Sequence, residues 1–405
     1  MTPSTQSPTR GYLDEVDSWS ARNYNPLPVV LDRAEGVWVW DVEGNRYLDM
    51  LAAYSALNQG HRHPAILQAA REQMEKLTLT SRAFHNDQMG PFLRELCQAT
   101  GFQRALPMNT GAEAVETAIK MVRKWGYTVK GVPKGKAEII VCSGNFHGRT
   151  TTIVGFSSEE QYSSGFGPFA PGFTMVPYGD ARAFEEAITE NTVGFLVEPI
   201  QGEGGVVVPP EGYLGCTAHM CRERGIAFMA DEIQTGLGRA GQLFACDWED
   251  VQPDVLIVGK ALGGGVYPVS AVLADTGLMD VFHPGDHGST FGGNPLGAAV
   301  GRASLRVILD EELPRRSRRL GRWFMDRLRA IESPHVAEVR GKGLMIGLVI
   351  RDESGPARPF CEKLQDRGIL AKETQRQVIR FAPPLVVDEE TLEYALEHVT
   401  AVLTE

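Results

Sequence analysis

Mostly apolar runs of four or five residues recur along the chain, at positions 139–142, 193–197, 226–230, 255–258 and 270–274. They lack the strict alternation of a half-exposed strand, so they predict strands covered on both faces, and the longer helically patterned stretches between them predict a largely parallel sheet. From about residue 310 the pattern changes. The charge-rich helical stretch ELPRRSRRLGRWFMDRLRAI is followed by short strand-like runs at 344–350 and 378–381. The expected class is therefore α/β, with a large domain of mostly parallel sheet covered by helices (residues 55–310) and a smaller α+β domain (311–405). Residues 1–54 read as an N-terminal segment, a flexible tail that leads into part of the small domain and the active-site wall. No internal repeat or low-complexity linker interrupts this plan.

Composition narrows the function classes. A chain of 405 residues that is 43% hydrophobic can bury a large core. Its formal net charge of -11 is the wrong sign for a general nucleic-acid or anionic-membrane binder, so any anionic ligand must be held by local groups. Cysteines 97, 142, 216, 221, 246 and 361 form no C-x-x-C pair and no zinc-ligand spacing, which suits thiols in a reducing compartment. His61, His63, His283 and His287 likewise complete no recognisable metal set, so no metal is expected. The N-terminal MTPSTQSPTR has no apolar signal core, and acids at 14, 15 and 17 argue against a transit peptide; cytoplasmic residence is the expectation.

The segment DEIQTGLGRAG (231–241) carries a glycine pattern that resembles a dinucleotide-binding turn. Such a turn needs a preceding strand, a following helix and an acid at the end of the next strand. Only the first condition is met, because Asp254 precedes the next apolar run instead of ending it.

Ligands of open α/β sheets bind beyond the carboxyl ends of strands, which singles out Asp231 and Lys260. A lysine there can form a Schiff base, and a carboxylate nearby can keep a pyridine nitrogen protonated. A strand-end salt bridge between the two, or two unrelated solvated ends, is an equal alternative from spacing alone. In NTGAEAVETAIKMV, Thr110 and Glu113 have the spacing of a capping box, predicting a helix that starts at Gly111. The amides of Gly111 and Ala112 then face any anion at the positive end of the helix dipole, although an ordinary capped helix would look the same.

The ordered set NTGAEA, NFHGRT, VEPIQGEGG, ADEIQTGLGRAG, VGKALGGG, HGSTFGGNP and VRGKGL resembles the class III aminotransferases of fold type I, and the resemblance covers nearly the whole chain. NYNPLPVVLDRAEGVWVWDVEGNRYLDML, AAYSALNQGHRHP, TSRAFHN, RKWGYTVKG and IRFAPPL are most similar to the ornithine-acting members, with the acetylornithine and 4-aminobutyrate branches less alike there. The resemblance implies pyridoxal 5'-phosphate as cofactor, Lys260 as its Schiff-base lysine and Asp231 as partner of the pyridinium nitrogen. It implies that Gln234 bonds the ring phenolate, that Phe146 stacks on the ring, and that Gly111 and Ala112 hold the phosphate with Thr290 from the other subunit of a homodimer. For substrate it implies Tyr24 and Arg149 at the α-amino and α-carboxylate ends of ornithine, Tyr54 lining the pocket, and Arg380 gripping a carboxylate of 2-oxoglutarate or glutamate, with Glu203 pairing Arg380 otherwise. The role of His147 stays open, since better-known eukaryotic members carry tryptophan there. The implied reaction moves the δ-amino group of L-ornithine to 2-oxoglutarate; a related ω-amine transaminase, an aminomutase or a catalytically silent scaffold are the alternatives.

Overall fold

The computed structural model describes residues 7–405. Its strands, in chain order, are β1 (Leu31–Glu35), β2 (Trp38–Asp41), β3 (Arg46–Asp49), β4 (Arg104–Met108), β5 (Glu138–Cys142), β6 (Phe173–Val176), β7 (Thr192–Val197), β8 (Ala227–Asp231), β9 (Val255–Val258), β10 (Ser270–Ala274), β11 (Val336–Lys342), β12 (Met345–Ile350), β13 (Ile369–Leu370), β14 (Lys372–Thr374) and β15 (Val378–Phe381). Seven of them form one sheet in the order β4-β10-β9-β8-β7-β5-β6. Strands β7 to β10 are buried along their whole length, as uninterrupted apolar runs require. The sheet is parallel except for β10, which runs antiparallel to both β9 and β4. The two reversals cancel, so β4 points the same way as the other strands. All six therefore deliver their carboxyl ends to one edge.

The helix Gly111–Trp125 packs over this sheet through Ala114, Val115, Ala118, Ile119, Met121 and Val122, the stripe its helical spacing predicts. Two smaller sheets flank the large one. The C-terminal sheet, β11-β12-β15-β14, is antiparallel throughout, and β1-β2-β3 is extended by β13, which pairs parallel to β3. The helix Leu313–Arg329 buries Leu313, Leu320, Phe324 and Leu328 and exposes Arg315, Arg319, Arg322 and Arg327. The first six residues of the expected N-terminal tail lie outside the described residues, and from Pro8, suited to a first helical turn, the chain forms the helix Pro8–Trp19. No helix among the described residues is long and apolar enough to cross a membrane.

The glycine-rich turn after β8 opens no helix; residues 233–242 are turns and bends. Gly238 (φ 95) and Gly241 (φ 85) take left-handed conformations that reverse the chain. Between them Arg239 is fully buried. Its guanidinium donates to Asn58 Oδ1 (2.7 Å) and to the carbonyls of Leu344 (2.9 Å) and Pro383 (2.7 Å), joining the turn to the C-terminal residues. Burial pushes its pKa down to about 9, opposed by Asp49, which leaves it a cation near neutrality. Asp254, the would-be ribose acid, instead accepts from the Phe228 amide at 2.8 Å, near the start of β8.

Candidate active site

Five strand ends converge on the site. Strand β4 leads into Thr110 and Gly111, β5 into Phe146 and His147, β7 into Glu198, β8 ends at Asp231, and β9 leads into Lys260. The capping box forms as the spacing requires. The Thr110 amide donates to Glu113 Oε2 at 2.7 Å, and the Glu113 amide donates to Thr110 Oγ1 at 3.3 Å. The amides of Gly111 and Ala112 donate to no group among the described residues and open onto a cavity of about 190 Å³. A side chain at Gly148 would put its Cβ 2.8 Å from that of Ala112, so glycine there leaves the cradle open.

That cavity is also lined by Phe146, His147, Glu198, Asp231, Gln234 and Lys260. Lys260 and Asp231 form no salt bridge, so the strand-end pairing considered from spacing is not the arrangement. Asp231 is held instead by His147, whose Nδ1 lies 2.7 Å from Oδ2, and by the Ile233 amide at 3.1 Å to Oδ1. Burial disfavours a charged His147, but the bond to Asp231, with its charge and that of Glu198, outweighs this and raises the imidazole pKa. Nδ1 therefore carries the proton, and Asp231 stays an acceptor. His147 Nε2 is buried without a hydrogen-bond partner among the described residues. Burial also pushes Glu198 up to about 7, with His147 opposing, while its Oε1 accepts from the Phe146 amide at 2.9 Å.

Lys260 sits in a left-handed backbone conformation (φ 43), and its amine forms no hydrogen bond with the described residues. Burial, with Arg380 helping and Glu203 opposing, lowers its pKa and favours the neutral, nucleophilic amine. A carboxylate, a buried amine, an aromatic face and free helix amides together suit a flat nitrogen heterocycle that carries a phosphate and a carbonyl.

A second, wider cavity of about 630 Å³ shares Phe146 and Lys260 with the first and brings together Tyr24, Tyr54, Arg149, Glu203 and Arg380. Arg149 lies over the ring of Tyr162 at 4.1 Å and farther from that of Phe146, at 5.7 Å. Arg380 is buried on β15; its Nη1 meets Glu203 Oε1 at 2.5 Å, and its guanidinium lies 4.9 Å from the centre of the Tyr54 ring. Burial alone would raise the Glu203 pKa, but Arg380 and Lys260 outweigh it and hold the carboxyl ionised. Gln234 bridges the two cavities, its Nε2 3.3 Å from Tyr54 O and 3.4 Å from Glu203 Oε1. Residues Ala52 to Ser55 all have positive φ, a strained left-handed turn without glycine that sets the direction of Tyr54. Thr290 is exposed and lines neither cavity of its own chain. Glu198 and Tyr162 were not among the expected residues. The strand-end rule reaches Glu198, directly after β7, whereas nothing local marks Tyr162.

A family model described as Aminotransferase class-III matches residues 19–403. An ornithine aminotransferase of Brevibacillus brevis is 56% identical over 397 residues, 98% of this chain and 99% of that one. Among solved structures, an ornithine aminotransferase from Toxoplasma gondii, described with partial occupancy of PLP at its active site, superposes with a TM-score of 0.96 at 44% identity, covering 98% of this chain and 94% of that one. An acetylornithine aminotransferase from Elizabethkingia anophelis gives 0.89 at 46% identity, covering 98% of each chain.

Proposed function

The chain belongs to the class-III aminotransferase family, and we propose that it transfers the δ-amino group of L-ornithine to 2-oxoglutarate, using pyridoxal 5'-phosphate in the cavity between Gly111 and Lys260. The products are glutamate and glutamate 5-semialdehyde, which cyclises unaided to pyrroline-5-carboxylate. When bound, pyridoxal phosphate supplies a carbonyl that captures the amine and a ring that withdraws electrons. Gly111 and Ala112 hold the phosphate through their amides, Phe146 covers the ring, Gln234 bonds its oxygen, and Asp231, fixed by His147, keeps the ring nitrogen protonated. Lys260 would anchor the cofactor, take the proton from the δ-carbon of ornithine and deliver it to the carbon that receives the amino group. Tyr24 and Arg149 hold the α-amino and α-carboxylate ends, with Tyr54 along the wall. Thr290, exposed in its own chain, serves the phosphate of a partner subunit in a homodimer.

One observation carries the choice of substrate. Arg380, the group that would grip an α-carboxylate beside Lys260, is neutralised by Glu203 in the same cavity. Ornithine therefore enters with its δ-amine toward Lys260 and its α-carboxylate on Arg149. A dianionic oxoacid displaces Glu203 and takes both arginines. Six unpaired cysteines support a cytoplasmic setting. The test mixes holoenzyme separately with ornithine, N-acetylornithine, 4-aminobutyrate and glutamate and records which discharges the cofactor absorption band. Rapid discharge by ornithine and glutamate is expected; discharge by N-acetylornithine in place of ornithine moves the protein to the acetylornithine branch.

A further inference from the structure

The segment 21–28, which carries Tyr24, crosses the mouth of the wide cavity without regular secondary structure, and Tyr24 is 76% exposed. Such a strap needs anchors to hold a side chain in register. Among the described residues, the hydrogen bonds that tie positions 22–26 to the body of the chain come from a single side chain. Arg358, in the helix Arg358–Asp366, donates from Nη1 to the Asn25 carbonyl (3.0 Å) and from Nη2 to the Pro26 carbonyl (2.9 Å). The fork is itself fixed. Nε donates to Glu362 Oε1 at 2.8 Å, and Nη1 reaches Glu373 Oε1 at 3.3 Å, which Lys372 Nζ also holds at 2.8 Å. Only 19% of the Arg358 side chain is exposed. Directly after Glu373, Thr374 at the end of β14 and Gln375 just beyond it donate to the carbonyl of Glu203 at 2.7 and 3.1 Å. One short stretch thus braces both the strap and the residue that neutralises Arg380.

We propose that Arg358 is a positioning residue for substrate specificity: it clamps the strap so that Tyr24 meets the α-amino end of the donor, without touching substrate or cofactor. This rests on the reading of Tyr24 as an α-amino contact. A planar fork that holds two adjacent carbonyls and a carboxylate cannot be replaced by the single ammonium of lysine. The clamp selects donors that carry an α-amino group over ω-amino acids that lack one.

The experiment compares holoenzyme of the wild type, Arg358→Gln, Arg358→Lys, Tyr24→Phe and the Arg358→Gln/Tyr24→Phe pair. Chymotrypsin cleavage after Tyr24 reads the clamp directly. Faster cleavage there in Arg358→Gln, with the rest of the chain unchanged, is expected; an unchanged cleavage rate there overturns the clamp. Kinetically, Arg358→Gln should raise KM for ornithine about tenfold, the loss expected for one charge-assisted contact, with kcat nearly unchanged. Its kcat/KM for 5-aminopentanoate, which has the δ-amine but no α-amine, should change by less than about twofold, and Arg358→Lys should resemble Arg358→Gln. In the double variant the two effects should not add, because both remove one contact. Full additivity, or equal losses on both donors, overturns the role in specificity. If Tyr24→Phe leaves ornithine KM unchanged while cleavage still quickens in Arg358→Gln, the clamp stands and the assignment of Tyr24 falls.

Discussion

Replacing Glu203 with alanine isolates the electrostatic choice between the two amino-acid substrates. Glu203 and Arg380 meet at 2.5 Å, with side-chain exposures of 23% and 2%. With charge centres about 4 Å apart and an effective dielectric near 20, their attraction is about 4 kcal/mol, and the desolvation of both groups offsets much of it. A net preference of about 1.4–2.7 kcal/mol remains, equivalent to about tenfold to hundredfold in binding. In Glu203→Ala the arginine keeps only the Tyr54 face and stands open to any α-carboxylate, so glutamate should gain on ornithine by that factor. Glu203→Gln, which retains a hydrogen-bonding oxygen without the charge, should fall between. The assay is single-turnover discharge of the cofactor band by each amino acid, expressed as the glutamate-to-ornithine ratio within one protein. Loss of stability from an uncompensated buried Arg380 then affects both numerator and denominator. A ratio within about twofold of wild type would refute the switch, because the proposed contact energy cannot produce so small a change.

Lys260→Ala should fold and bind cofactor yet lose turnover by about four or more orders of magnitude, since anchor and proton carrier are one residue; near-normal turnover removes Lys260 from the chemistry. Asp231→Asn should cut the rate with ornithine far more than it lowers the thermal midpoint, because an amide accepts from His147 but cannot hold the ring nitrogen protonated; equal rates in the two proteins would exclude that role. His147 is faced by Asp231 and Glu198, and its folded pKa is raised above the unfolded value. Its contribution to stability is complete below the unfolded pKa, about 6.5, and is lost as pH rises through the folded one. The apoprotein of His147→Gln should therefore differ most from wild type at acidic pH, with the two melting curves converging as pH rises; a difference independent of pH would show that the imidazole is not held as a cation.

Local pattern carries local structure well. Strands β9, β10 and β15 span the residues their apolar runs indicate, and the Thr110 and Glu113 cap places the start of its helix correctly. What sequence does not carry is pairing across distance. His147 and Asp231 are 84 residues apart, and Arg358 meets carbonyls 333 and 332 residues away, so periodicity says nothing of either. The reversal of β10 is invisible for a related reason, since a buried strand reads the same in both directions. The left-handed turn at Ala52 to Ser55 has no local signature at all, because AAYS contains none of the residues that favour positive φ, and surrounding packing must impose it.

Arg239 bears on how such an enzyme can move. A guanidinium that is fully buried and bonded to carbonyls of Leu344 and Pro383 and the amide oxygen of Asn58 cannot separate from them without leaving a bare cation in a dry interior. The C-terminal sheet is therefore riveted to the turn after β8, and wide hinge-bending between them is costly in every state of the catalytic cycle. Accommodation of two differently shaped substrates falls to side chains, foremost the Glu203 carboxylate swinging off Arg380. The glycine pattern that resembled a nucleotide turn thus stiffens the frame, and motion is confined to a few side chains around a fixed Lys260.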